Sequence, residues 1–153
     1  MANTFTQIYI QTVFAVTNRD CIIHSSWENE LQKYITGIIQ NNGHKMLAIN
    51  GTHNHIHLFF GMRPGQSVSK LIQDVKSNSS KWVSEKNFVK GKFSWQEGFG
   101  AFSYGHSQLD NVIFYVKNQK EHHKKQSFRD EYLLFLRKFN VEYEEKYLFD
   151  FFD

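Results

Sequence analysis

One short stretch constrains the fold more than any other: His53-Asn54-His55-Ile56-His57-Leu58-Phe59-Phe60. In extended backbone, alternate side chains share a face and lie about 6.6 Å apart. Ile56, Leu58 and Phe60 therefore form an apolar back, while His55 and His57 project side by side from the front. Such a strand has to sit in a sheet with a core behind it and a polar site before it. Two imidazoles at that separation can converge on one cation, and neutral imidazole is the commonest metal ligand. His53, at the end of the run, reads as a surface or supporting position.

The rest of the chain supplies the other layers. Phe5 to Val16 reads as a strand, with Ile8, Ile10, Thr12 and Phe14 on one face and Gln7, Tyr9 and Gln11 on the other. A helix is predicted over Trp27 to Asn41. Ser25 and Glu28 stand at capping-box spacing before it, Trp27, Leu31, Tyr34, Ile35, Ile38 and Ile39 form its apolar stripe, and Asn42-Gly43 stops it. Strands over Lys45–Asn50 and His53–Gly61 follow, with a turn near Asn50-Gly51. A second helix runs from an N-cap at Ser67 to Lys86, burying Val68, Leu71, Ile72, Val75, Trp82 and Val83. The segment Phe93 to Tyr104 contains a strand, and helices are predicted over Gln108–His122 and Ser127–Asn140. The order β-α-β-β-α-β-α points to an α+β fold: a ferredoxin-like antiparallel sheet with helices packed on one face. At 153 residues, with no repeat or linker, residues 1–153 read as a single domain.

Charge is uneven along the chain. Residues 1–126 carry 14 Lys and Arg against 8 Asp and Glu, whereas residues 127–153 carry 4 against 7. The most basic stretch, Arg63 to Lys92, contains Lys70, Lys76 and Lys81, which lie largely off the apolar stripe of the second helix. These three, with His122 and Lys124 further along, are candidate contacts to the backbone of a nucleic acid. The single cysteine, Cys21, excludes an intrachain disulfide, and no apolar run approaches the roughly 20 residues of a membrane helix. Those features fit a protein of the reducing cytoplasm without a membrane partner. Gly98-Phe99-Gly100 lacks the remaining spacing of a phosphate-binding loop, so no nucleotide cofactor is expected.

A second cluster is Tyr115-Val116-Lys117-Asn118-Gln119. Positions i and i+4 share a helix face, so Tyr115 and Gln119 point the same way, with Val112, Ile113 and Val116 left to dock the helix. A His-hydrophobe-His strand followed by a helix bearing Tyr and, four residues later, Gln resembles the HUH superfamily. More narrowly, it resembles the single-tyrosine transposases of the smallest bacterial insertion sequences and their REP-associated relatives. The similarity runs in order along nearly the whole chain. It takes in Tyr9–Val16, His55–Leu58, Trp95–Ser103, Tyr115–Lys124, Ser127–Tyr132 and Tyr147–Asp150. Asn54 departs from the pattern, since an acid is expected before the histidine pair.

The resemblance implies a catalytic domain that cuts and rejoins single-stranded DNA at insertion-sequence ends and recognises DNA hairpins. Tyr115 would be the nucleophile, forming a 5′-phosphotyrosine. His55, His57 and Gln119 would hold one divalent ion, Mg²⁺ or Mn²⁺. It further implies a homodimer with composite active sites, His55 and His57 of one subunit facing Tyr115 of the other. The alternative is a domesticated relative that binds hairpin DNA for a host role and no longer moves.

Overall fold

The computed structural model describes residues 3–152. Four strands, β1 (Tyr9–Ala15), β2 (Lys45–Gly51), β3 (His55–Gly61) and β4 (Gly100–Tyr104), form one antiparallel sheet in the order β2-β3-β1-β4. With α1 (Ser25–Asn41) and α2 (Val68–Glu85) as the crossovers, this is the ferredoxin-like arrangement expected from the sequence.

The two faces of β3 explain the layering. Ile56, Leu58 and Phe60 are buried in the main core together with Leu31, Ile35 and Ile39 of α1 and Leu71, Ile72 and Val75 of α2. Each large side chain taken fully out of water contributes about 2 kcal/mol. Tyr34 of α1 stacks on Trp82 of α2 at 4.7 Å, and Trp27 of α1 stacks on Phe88, just beyond the end of α2, at 5.1 Å. The helical segments after β4 lie over the other face: α3 (Leu109–Lys117), α4 (Gln119–His122) and α5 (Phe128–Lys138). There Phe59 and Ala48 meet Val112 and Val116 of α3, and the imidazoles of β3 meet α5.

Three boundaries differ from the sequence reading, each for a local reason. β1 begins at Tyr9, where regular pairing with Gly61 and Tyr104 begins; before it, the Ile8 carbonyl still accepts from the Met62 N–H at 2.8 Å. Ser25 is the first residue of α1 and His24 its cap, without a side-chain capping bond, so the expected capping box is not formed. Ser67 does cap α2, its hydroxyl accepting from the Lys70 N–H at 3.1 Å. The helix predicted over Gln108–His122 is broken at Asn118. The Asn50 side chain donates to the carbonyl of Lys117 at 2.8 Å, and Asn118 donates to that of Phe114 at 2.8 Å. The Asn50 amide thus takes a carbonyl that a continuous helix would use, while the Phe114 carbonyl accepts both the backbone N–H of Asn118, at 3.1 Å, and its side chain, and the backbone turns before resuming at Gln119.

Candidate active site

β3 delivers its imidazoles through a tight hairpin. A Cβ on Gly51 would lie 2.2 Å from the carbonyl oxygen of His55, so only glycine allows the two strands to close at this point. His55 then pairs with Ala15 and His57 with Val13 on β1. Both rings are fully buried, 5.1 Å apart between centroids. His53 is exposed in the turn, as its terminal position suggested.

The break at Asn118 aims Gln119 inward, where it is fully buried with its Oε1 3.2 Å from Nε2 of His55. Tyr115, one turn earlier, has its ring 6.1 Å from that of His57. The structure therefore brings together His55, His57, Gln119 and Tyr115, and it does so within one chain. Within the chain, α3 packs on β2 and β3 and presents Tyr115 to the chain's own histidines.

Two further residues, missed from sequence, occupy the centre. Glu131 of α5 is 1% exposed and lies among the imidazoles. Its Oε1 is 3.3 Å from Nε2 of His55, 3.1 Å from Nε2 of His57 and 2.9 Å from Nε2 of His123. Its Oε2 accepts from the Gln119 amide at 3.0 Å and, at close range, from the Tyr115 hydroxyl. The signal in the sequence was a carboxylate on an apolar stripe: Glu131 falls between Phe128, Tyr132 and Phe135, all buried. His123, the neighbour of the candidate contact His122, also turns into the site.

A second layer holds the rings. Asn54 donates to the carbonyl of Phe152 at 2.7 Å, which leaves its Oδ1 to accept from Nδ1 of His55, also at 2.7 Å. The residue that departs from the family pattern thus supplies a neutral acceptor to the His55 imidazole, where an acid would supply a charged one. Nδ1 of His123 lies 2.8 Å from the carbonyl of Gln126, and Nδ1 of His57 lies 2.9 Å from the side-chain amide of Gln11, which also meets the Tyr104 hydroxyl at 2.7 Å.

Burial shapes the protonation of the site. It lowers His55 to about 4, against the opposing pull of Glu131. Burial alone would raise the Glu131 carboxyl, but the charge of His57 and the surrounding imidazole contacts outweigh it and hold Glu131 well below the usual carboxylate range. The Tyr115 phenol is pushed above its ordinary range, by burial first and then by the charge of Glu131. His122 stacks on the Tyr115 ring at 4.5 Å, and its buried Nε2 finds no hydrogen-bond partner among the described residues.

The donor atoms of His55, His57, His123 and Glu131 all lie within 4.8 Å of one another. Imidazole nitrogens and a carboxylate oxygen converging from a strand and two helical segments fit a divalent cation. Clefts open on either side of them. One, about 310 Å³, is bordered by Tyr115, Gln108, Asn111 and Phe135. The other, about 380 Å³, is bordered by His123, Lys120, Lys124 and Ser127. Lys70, Lys76 and Lys81 are not brought to this centre, because α2 lies behind the sheet. Lys70 and Lys81 are exposed and spaced to pair with Asp74 and Glu85. Lys76 is drawn inward onto the carbonyls of Gln96 and Gly98, and burial lowers it to about 8 despite Glu97.

Comparison with known proteins adds to this geometry. The family model described as "Transposase IS200 like" matches residues 4–119. The chain belongs to the IS200-like transposase family. No curated protein matches at a significant level. Among solved structures, a candidate transposase of Deinococcus radiodurans R1 aligns at TM-score 0.60 and 16% identity, over 78% of this chain and 95% of that one. A REP-associated tyrosine transposase bound to a REP hairpin aligns at TM-score 0.60 and 13% identity, over 80% of this chain and 73% of that one. At these identities the two structures show a shared fold. Membership of the family makes the chain a transposase, an enzyme class that cleaves and transfers DNA strands. Among the described residues, no helix is long and apolar enough to cross a membrane.

Proposed function

We propose that this transposase cuts and rejoins single-stranded DNA at insertion-sequence ends, with Tyr115 as nucleophile and His55, His57 and Gln119 around a divalent ion, and that it selects its sites through DNA hairpins. The observation that carries this reading is the convergence of the Tyr115 hydroxyl, Gln119 and both β3 imidazoles on one buried centre. A phenol bound there can reach a phosphate laid across the two clefts.

The phenolic oxygen attacks phosphorus in line, the bond from phosphorus to the 3′-oxygen breaks, and a 5′-phosphotyrosine and a 3′-hydroxyl result. Rejoining reverses the exchange on a new 3′-hydroxyl and needs no nucleotide, since the phosphodiester's energy is kept in the covalent bond. Glu131 Oε2 accepts the phenolic hydrogen bond and orients the oxygen. Burial keeps the phenol protonated until the substrate is in place, and His122, stacked on its ring, stands ready to meet the incoming phosphate charge. A divalent ion, when bound, polarises the scissile phosphate and stabilises charge in the transition state. Lys124 lies at the cleft. Lys70, Lys81 and, to a lesser degree, Lys76 hold phosphates of a hairpin stem at a distance from the cut. Two copies of the chain, each with its own complete site, hold the two cut ends together in a homodimer acting on cytoplasmic DNA.

The test is incubation of the protein and Mn²⁺ with end-labelled single-stranded DNA from the flanks of its own gene, read on a denaturing gel. A labelled band shifted to protein mass, lost on adding chelator, is the expected result. Cleavage without any covalent protein–DNA species would point to a water-using hydrolase and overturn the reading.

A further inference from the structure

The two side chains in the centre that the transposase reading leaves unassigned to the ion are His123 and Glu131. Hydrogen-bond directions around the rings say what they are for. Asn54 Oδ1 can only accept, because its amide nitrogen is committed to the carbonyl of Phe152. Nδ1 of His55 is therefore the protonated nitrogen, and its Nε2 carries a lone pair. Nδ1 of His123 faces the carbonyl of Gln126, which also can only accept, so in the neutral ring, the form that can bind a metal ion, its Nε2 is a lone pair as well. Those two lone pairs point at Glu131 Oε1 from 3.3 Å and 2.9 Å, and Gln119 Oε1 lies 3.2 Å from the first of them. Acceptors facing acceptors in a dry site repel one another unless a proton or a metal ion lies between them, and one shared cation answers both imidazoles, the carboxylate and the Gln119 amide oxygen at once. Amide and hydroxyl can each reverse at Gln11 and Tyr104, so the tautomer of His57 follows whatever its Nε2 meets.

The spacing matches a cation as the missing element. Ligand bonds of about 2.1 Å place neighbouring donors about 3.0 to 3.4 Å apart, from octahedral to tetrahedral geometry. The contacts of Glu131 Oε1 with His55, His57 and His123, at 3.3, 3.1 and 2.9 Å, are close to that range.

We propose that His123 and Glu131 are ligands of the ion alongside His55, His57 and Gln119, adding a third imidazole and a carboxylate to the set, and that the site takes a transition-metal ion such as Mn²⁺, Co²⁺ or Zn²⁺ in preference to Mg²⁺. Nitrogen-rich sets favour those ions, whereas Mg²⁺ holds to oxygen ligands and water. Glu131 then spans two roles: Oε1 on the ion and Oε2 on the Tyr115 hydroxyl, so that loading the ion sets the position of the nucleophile. The inference deepens the transposase reading at the same site, but binding of the ion is measured without DNA.

The experiment is calorimetric titration of the metal-stripped full chain with Co²⁺ and with Mg²⁺, accompanied by the visible absorption of the Co²⁺ form. One Co²⁺ per chain is expected, bound at least roughly a hundredfold tighter than Mg²⁺. Glu131→Gln, which keeps shape and hydrogen bonding, and His123→Gln should each weaken Co²⁺ by at least roughly tenfold and change its absorption, with melting curves of the stripped variants showing that both are folded. Loss of less than tenfold in both variants overturns the proposal, as does a wild-type chain that binds no Co²⁺. In the latter case a covalent DNA adduct formed in Mg²⁺ would leave the transposase reading standing. Tight Co²⁺ binding lost in both variants, without any adduct, would support the ion site and sink that reading alone.

Discussion

Glu131 illustrates how much a single side chain can decide. Its helix was readable from the spacing of Phe128, Tyr132 and Phe135, but a carboxylate on that stripe acquires meaning only when β3 is laid opposite it. Periodicity puts His55 with His57, and Tyr115 with Gln119, on one face each, and the family resemblance is what marked the two pairs as one site. His123 could not be singled out, since its direction depends on the turn after α4. The protonation of these groups gives a prediction. Burial lowers His55 from 6.5 to about 4, so between those values the unfolded chain binds more protons than the folded one. Stability therefore rises with pH across that window and falls on acidification. Glu131, held low in the fold, acts in the same direction below about pH 4.5. The melting temperature of the metal-stripped protein should drop steadily from pH 6.5 toward pH 4, and His55→Gln should flatten the upper part of that slope. A melting temperature that is constant or climbs on acidification would contradict the buried, neutral state assigned to His55.

At the scale of elements, the sheet and its two crossover helices were legible because each carries one strong period. The break between α3 and α4 was not, because it arises from Asn50, a residue 67 positions away that takes the carbonyl of Lys117. The same tertiary effect relocates the lysines. From spacing alone α2 could flank the site, but the sheet stands between them. Lys70 and Lys81 remain exposed on the far side, and Lys76 is engaged with backbone carbonyls. The proposed stem contacts therefore predict an effect on affinity with none on chemistry. Lys70→Ala with Lys81→Ala should lower the dependence of log K on log salt by about one unit per lost phosphate contact. The rate of cleavage at saturating protein should stay unchanged. Binding measured from 50 to 300 mM salt would decide this, and an unaltered slope would show that α2 is merely solvated.

For the molecule as a whole, the sheet separates two tasks. The face toward α1 and α2 is packed with apolar side chains, and the face toward α3 and α5 holds the chemistry beside the buried Phe128, Tyr132, Phe135 and Leu136 of α5. That division places His55, His57 and Tyr115 within one chain, although the resemblance had implied that they meet across a dimer. Mixing is a direct check: His57→Ala and Tyr115→Phe subunits, each inactive alone, should recover nothing when combined under conditions that exchange subunits. Recovery, with adducts on the His57→Ala chain, would show that the tyrosine helix is exchanged after all. The measurement closest to the central claim is mass spectrometry of the protein after reaction with its flanking single-stranded DNA and nuclease trimming. The account predicts a nucleotide-phosphate adduct on the peptide bearing Tyr115, absent from Tyr115→Phe although that variant still binds the DNA. An adduct on any other residue, or undiminished adduct and cleavage in Tyr115→Phe, would contradict it.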